Sequence, residues 1–152
     1  MKKSTIILIA IVYVASIVIV SIFGLKAKIY AEVIPVTAIE CQNTTTKDAV
    51  VEDYDGKTVI SAQLKSDNPD YIETEDGDIV SGTMIEIKYR VLPDNASNKK
   101  VKYVYNEKYN SRVKFAKGAP VVLFTGTGIF TIKVMATDGT QKYTEIVFNI
   151  YA

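Results

Sequence analysis

From Val33 onward, hydrophobic and polar positions alternate with a period of two, and turn-forming residues return at short intervals. Ile85, Ile87, Tyr89 and Val91 alternate with Glu86, Lys88 and Arg90. Phe130, Ile132, Val134 and Ala136 alternate with Thr131 and Lys133, and Ile146, Phe148 and Ile150 give a last strand its inner face. Asp55-Gly56, Asp76-Gly77 and Asp138-Gly139 each separate β-branched runs, where a tight hairpin needs positive φ. No sustained helical period follows residue 30. The pattern predicts an all-β domain of many short strands, a sandwich or a barrel.

The first thirty residues follow a different rule. After Met1-Lys2-Lys3, no residue from Ile6 to Leu25 is charged. Twenty residues of helix rise about 30 Å, the thickness of a bilayer's hydrocarbon core. A strand of that composition would leave its backbone unpaired in lipid, so a helix is expected. Residues 1–30 are therefore read as a single-pass membrane anchor spanning residues 6–25, or as a signal peptide, with Ile29-Tyr30-Ala31 as the alternative's cleavage site. The apolar run exceeds the usual signal-peptide core, which favours the anchor. Lys2 and Lys3 on one side against Lys26 and Lys28 on the other bias the N-terminus weakly toward the inside. The helix has no Gly-x-x-x-Gly face, so no strong helix-driven dimer is expected.

The chain has 152 residues, and about 120 remain after the apolar start, enough for one domain at residues 31–152. It has no His, no Trp and a single Cys, with a net charge of +1. Without His, the common general base, zinc ligand and nucleophile pairs are missing, so an enzyme is not expected. One Cys makes no internal disulfide; Cys41 is expected to be a strand residue. No cofactor and no nucleic-acid partner are expected.

Charge is unevenly spread. Between residues 48 and 80 there are ten acids against Lys57 and Lys65; between 88 and 117 there are nine bases against Asp94 and Glu107. Solvated faces explain this, and head-to-tail association or docking of a charged polymer is the sharper alternative. Asp67, Asp70, Glu73, Glu75, Asp76 and Asp78 offer oxygen ligands for calcium but lack the EF-hand spacing. Ser97-Asn98-Lys99-Lys100 and Ser111-Arg112-Val113-Lys114 match Ser-x-x-Lys, yet both fall on expected strands or turns, whereas that chemistry needs a helix. Asn43-Thr44-Thr45 and Asn95-Ala96-Ser97 fit the N-glycosylation pattern. Tyr105 and Tyr109, beside Lys108, are expected chiefly as packing residues, with a sugar- or protein-binding patch as the alternative.

The run Val91-Leu92-Pro93-Asp94-Asn95-Ala96-Ser97-Asn98-Lys99-Lys100-Val101-Lys102-Tyr103 resembles the signature of bacterial Ig-like domains of group 2, with Tyr103 at the family's Trp position and Ser97 at its Thr position. Gly128-Ile129-Phe130-Thr131-Ile132-Lys133-Val134-Met135-Ala136-Thr137-Asp138-Gly139 is similar to a second segment of that family, and Val36-Thr37-Ala38-Ile39 to its first strand. The resemblance covers the first strand and about residues 81–151, and it implies an immunoglobulin-like β-sandwich behind the N-terminal transmembrane helix. The Trp is missing, Lys117-Gly118-Ala119-Pro120 replaces a more regular hairpin, and an acidic insertion at about 43–80 has no counterpart. The insertion is expected to form one or two extra hairpins, with Val59 to Leu64 its best strand, and specificity is expected there.

The resemblance implies a non-enzymatic module, tethered to the membrane with its C-terminal domain extracytoplasmic, that serves adhesion, surface assembly or an envelope complex as accessory subunit. Its partner would be a protein or a surface polysaccharide, the former in the same membrane. The alternatives are a structural subunit polymerising through charge-complementary faces, or a secreted binding domain if the N-terminus is cleaved. Cell-wall attachment through the C-terminus is not expected.

Overall fold

The computed structural model describes residues 3–29 and 32–152, with the backbone alone over 23–29. Two units result, Met1–Val33 and Ile34–Ala152. The expected cleavage site at Tyr30-Ala31 lies outside the described residues.

In the first unit α1 (Lys3–Ile29) is one uninterrupted helix whose stretch from Lys3 to Ile22 is long and apolar enough to cross a membrane. From Ile6 to Ile22 its apolar side chains are exposed on every side, which suits lipid or the translocation of a signal sequence. The hydroxyl of Ser16 donates to the Val12 carbonyl at 2.8 Å, so its polar group is satisfied within the helix.

In the second unit a five-stranded sheet runs β2 (Ala49–Tyr54), β3 (Lys57–Gln63), β11 (Tyr143–Tyr151), β10 (Gly128–Ala136), β7 (Val101–Tyr105). A four-stranded sheet runs β4 (Asp70–Glu73), β5 (Ile79–Glu86), β9 (Val121–Phe124), β8 (Val113–Phe115). The pair β1 (Ala38–Cys41) and β6 (Tyr89–Leu92) continues the second layer, because the Ile87 N–H carries the β5–β9 ladder on to the Pro120 carbonyl at 2.7 Å. The order β1–β6/β5–β9–β8 over β7–β10–β11 is the ABED and CFG arrangement of an immunoglobulin-like sandwich. The fold is thus an all-β sandwich with one apolar N-terminal helix.

The period-two strands bury the residues expected of them. Phe130, Ile132 and Val134 of β10 and Ile146, Phe148 and Ile150 of β11 face Ile85, Val91, Val122 and Phe124 across the layers. Phe124 lies 5.1 Å from Phe130 and 5.0 Å from Phe148, ring centre to ring centre. The Asp-Gly turns form as expected: Asp55 and Gly56 take φ of 51° and 73° between β2 and β3. Gly77 and Gly139 have positive φ in the β4–β5 and β10–β11 turns. Tyr103, in the place of a Trp, stacks on Phe115 with ring centres 4.7 Å apart.

Residues 43–80 form the expected extra hairpins, β2–β3 on the five-stranded sheet and β4–β5 on the four-stranded one. Strand β3 pairs in parallel with the last strand, Ile60 opposite Phe148 and Ala62 opposite Ile150, while β4 extends the second sheet. Ile60, Ala62 and Ile72 are buried. Removing this segment would strip Ile60, Ala62 and Ile72 from the core. The expected strand at Val59 is β3, which starts at Lys57 and ends at Gln63.

The four-stranded sheet curls until its outer strands touch. Thr74 forms a bridge with Ala116, and the Lys117 N–H donates to the Glu73 carbonyl at 2.9 Å. Gly82 makes the close approach of β5 to β9 feasible, since a Cβ there would sit 2.2 Å from the Phe124 carbonyl oxygen.

Candidate interaction surface

On the outer face of the five-stranded sheet, register places the side chains in rows. Val50, Ser61, Asn149 and Ile129 lie across β2, β3, β11 and β10 in one row; Glu52, Val59, Val147 and Thr131 form the next. Beyond them Lys57 reaches Glu145 at 2.7 Å, and Lys133 approaches the same carboxylate at 4.0 Å. The last row carries Tyr143, Met135 and Lys102. Lys133 also sits 4.5 Å from the centre of the Tyr143 ring. The solvated face of an antiparallel sheet is ordinarily polar. Here two adjacent rows hold a single charge, Glu52, and Ile129 is 65% exposed near the start of β10, ahead of the point where β7 pairs with that strand.

The acidic and basic segments meet inside the domain. Lys117 of the basic segment pairs with Glu73 of the acidic one at 3.7 Å, while Lys65 and Asp70 pair within the acidic segment at 3.0 Å. A groove of about 400 Å³ lies between Glu75, Asp76 and Asp78 of the β4–β5 turn and Tyr105, Asn110, Lys114 and Phe115. Each segment therefore offsets part of the other's field.

The remaining sequence candidates fall into place one by one. Ser97 accepts the Ile34 N–H at 2.9 Å, and the Ser111 carbonyl accepts the Thr125 hydroxyl at 3.2 Å. Lys100 follows a turn and Lys114 lies in β8, so neither Ser-x-x-Lys run is helical. Among the described residues, no three His, Cys, Asp or Glu side chains converge on a cation position. The Asp70 carboxylate is occupied by Lys65 and the Met84 N–H, the latter at 3.0 Å. Cys41 is half-buried in β1, its thiol 3.5 Å from Asn43 Oδ1.

Asn43 acts as a clip: its amide N–H donates to the Glu86 carbonyl at 2.7 Å, and its oxygen accepts the Lys88 N–H at 2.8 Å. It thereby extends β1 past its end and fixes the wall of a small cleft of about 140 Å³ lined by Thr46, Asp48, Val51, Met84 and Glu86. Asn95 is exposed in the turn after β6. Tyr105 packs on Phe115 at 5.4 Å, and Tyr109 meets Phe130 edge-on at 5.2 Å, with Lys108 over the Tyr109 ring at 4.9 Å. Both tyrosines are packing residues, as expected.

Sequence reasoning passed over Ile129, Val50, Val59 and Val147 as a surface. The alternation placed Ile129 and Val147 opposite the inner face of their own strands, but only strand order brings them beside Val50 and Val59. No family model matches the chain, and no curated protein matches it either.

Proposed function

We propose that the chain is a non-enzymatic, membrane-tethered Ig-like module, extracytoplasmic in its C-terminal domain, acting as accessory subunit of an envelope assembly. The single observation that carries this reading is the pair of adjacent rows on the outer sheet face that hold one charge and expose Val50 and Ile129, on a domain joined to a bilayer-length apolar helix. A face carrying Val50, Val59, Val147 and Ile129 fits a protein partner better than a polysaccharide, which would favour polar groups and exposed aromatic rings. The group 2 resemblance of residues 91–103 and 128–139 supports the same kind of role. It speaks for a module of fold-level analogy, and the ligand comes from the site alone.

The lack of His and the dispersal of Ser97, Ser111 and their lysines support a binding role over catalysis. Polymerisation through charge-complementary faces has less to draw on, because Glu73 of the acidic segment is already paired with Lys117 of the basic one within the domain.

The test is a crosslinked pull-down of the full chain from its native membrane, with the intact mass of the recovered protein. The reading expects an uncleaved chain with stoichiometric membrane partners; V147K/I129K should stay uncleaved and lose the partners. A chain shortened by about thirty residues, near the usual length of a signal peptide, means a secreted domain. Undiminished capture by V147K/I129K removes the sheet face as the docking site.

A further inference from the structure

We propose that the end of the sandwich where the chain leads in from its N-terminal segment docks on anionic phospholipid headgroups, an inference that rests on the membrane-tethered reading above. Three loops, 32–37, 93–100 and 137–142, meet at that end. The Ile34 N–H donates to Ser97 Oγ and the Ser97 N–H to the Ile34 carbonyl, both at 2.9 Å; the Thr137 N–H donates to the Lys100 carbonyl at 3.0 Å. Together they present Lys99, Lys100 and Lys142, all exposed, with Lys102 one step along β7. Among the described residues none of these four lysines forms an ion pair.

The acids of the same loops are largely occupied. Asp94 is held in a two-bond pair by Arg90. Asp138 accepts from the Val36 N–H and from Thr140. Glu32 is exposed, and Asp53 and Asp55 lie at the β2–β3 edge, on the far side of the five-stranded sheet from β7. The β7–β10 corner thus keeps a positive surplus.

Next to it Tyr143, half exposed, stands in register with Met135, which faces Lys102. Tyrosine beside lysine is the composition of a bilayer interface, where the ring sits among headgroups and the ammonium meets phosphate. Residues 23–33 separate the apolar helix stretch from the sandwich. Even fully extended they span at most about 40 Å, so a tethered domain works at an effective concentration in the millimolar range, where weak contacts suffice.

Each lysine near an anionic surface contributes about fivefold in partitioning. The sandwich Ile34–Ala152 has its own core and forms a separate compact unit, so it serves as the probe without the helix. It is sedimented at low ionic strength with vesicles of phosphatidylcholine alone or mixed equally with phosphatidylglycerol. The expected result is binding to the mixed vesicles only, lowered roughly a hundredfold in K99Q/K100Q/K142Q. K47Q/K108Q/K114Q, equal in charge change but away from this end, should bind as the parent does. Binding to both vesicle types, binding to neither, or equal loss in the two variants overturns the proposal. Capture by soluble polyphosphate with no capture by mixed vesicles also overturns it, in favour of a soluble polyanion. Alkaline extraction of the full chain from membranes tests the anchor separately, so failure of one reading is told apart from failure of the other.

Discussion

The Val36 N–H donates to the carboxylate of Asp138 at 2.7 Å, across 102 positions of sequence. Asp138 also accepts the Thr140 hydroxyl at 2.6 Å and the Thr140 N–H at 3.0 Å. One side chain therefore shapes the β10–β11 turn and fastens the segment that leads into β1. These donors hold the Asp138 carboxyl below the usual carboxylate range, the Thr140 hydroxyl first and the Val36 N–H next.

Because the folded carboxyl is the stronger acid, its contribution to stability is present above the unfolded value near about 3.9 and disappears as pH falls through the folded one. Asp138→Ala is expected to lower Tm at neutral pH and to flatten the loss of Tm in acid. Thermal melts of both proteins across the acid range check this; parallel acid limbs would count against it.

Ile60 is fully buried opposite Phe148 and Val51. Ile60→Ala should cost about 2–5 kcal/mol, the range for a large-to-small change in a packed core. Urea unfolding measures it. A cost under about 1 kcal/mol, typical of surface changes, would mean that residues 43–80 are an appendage after all.

Asn43 substitutes for a strand residue by pairing with both the Glu86 carbonyl and the Lys88 N–H. Asn43→Ala leaves those two backbone groups to water and is expected to destabilise by about 1–2 kcal/mol. Amide exchange should quicken at Lys88 and leave the β10–β11 ladder unaffected. Uniform quickening across the domain would refute a local clip.

Burial pushes the Tyr103 hydroxyl up to about 12, and the neighbouring Tyr89 adds to the effect. The folded protein thus holds this proton after the unfolded chain, with a value near about 10, has released it. Stability should fall as pH rises from about 10 toward about 12. Ultraviolet titration should show a late tyrosine that vanishes in Tyr103→Phe.

Much of the fold is legible because its signals are local. Ile6 to Leu25 need nothing beyond chain composition to specify a helix, since an uncharged backbone segment of that length has no other satisfied state in lipid. The Asp-Gly turns are equally local: positive φ at Gly56, Gly77 and Gly139 follows from residue type. Alternation along β10 and β11 names the buried face because successive side chains point to opposite sides.

Strand partners are another matter. Period two states which side of a strand is apolar and is silent on what lies alongside. Nothing local says that Ile60 stands beside Phe148 in parallel or that Thr74 meets Ala116, so residues 43–80 read as an addition to a known pattern. The candidate sheet face has the same origin. Val50 and Val59 come from one hairpin and Ile129 and Val147 from another far along the chain, and each alone is an ordinary exposed or half-exposed apolar residue. The order β2–β3–β11–β10 assembles them into one surface, and the folding of remote loops against Ile34 and Val36 gathers Lys99, Lys100 and Lys142. Element type and turn position follow from chemistry between near neighbours, whereas surfaces arise from long-range pairing, whose free energy comes from the burial of Phe124, Phe130 and Phe148 and is only available once the sheets have closed on one another.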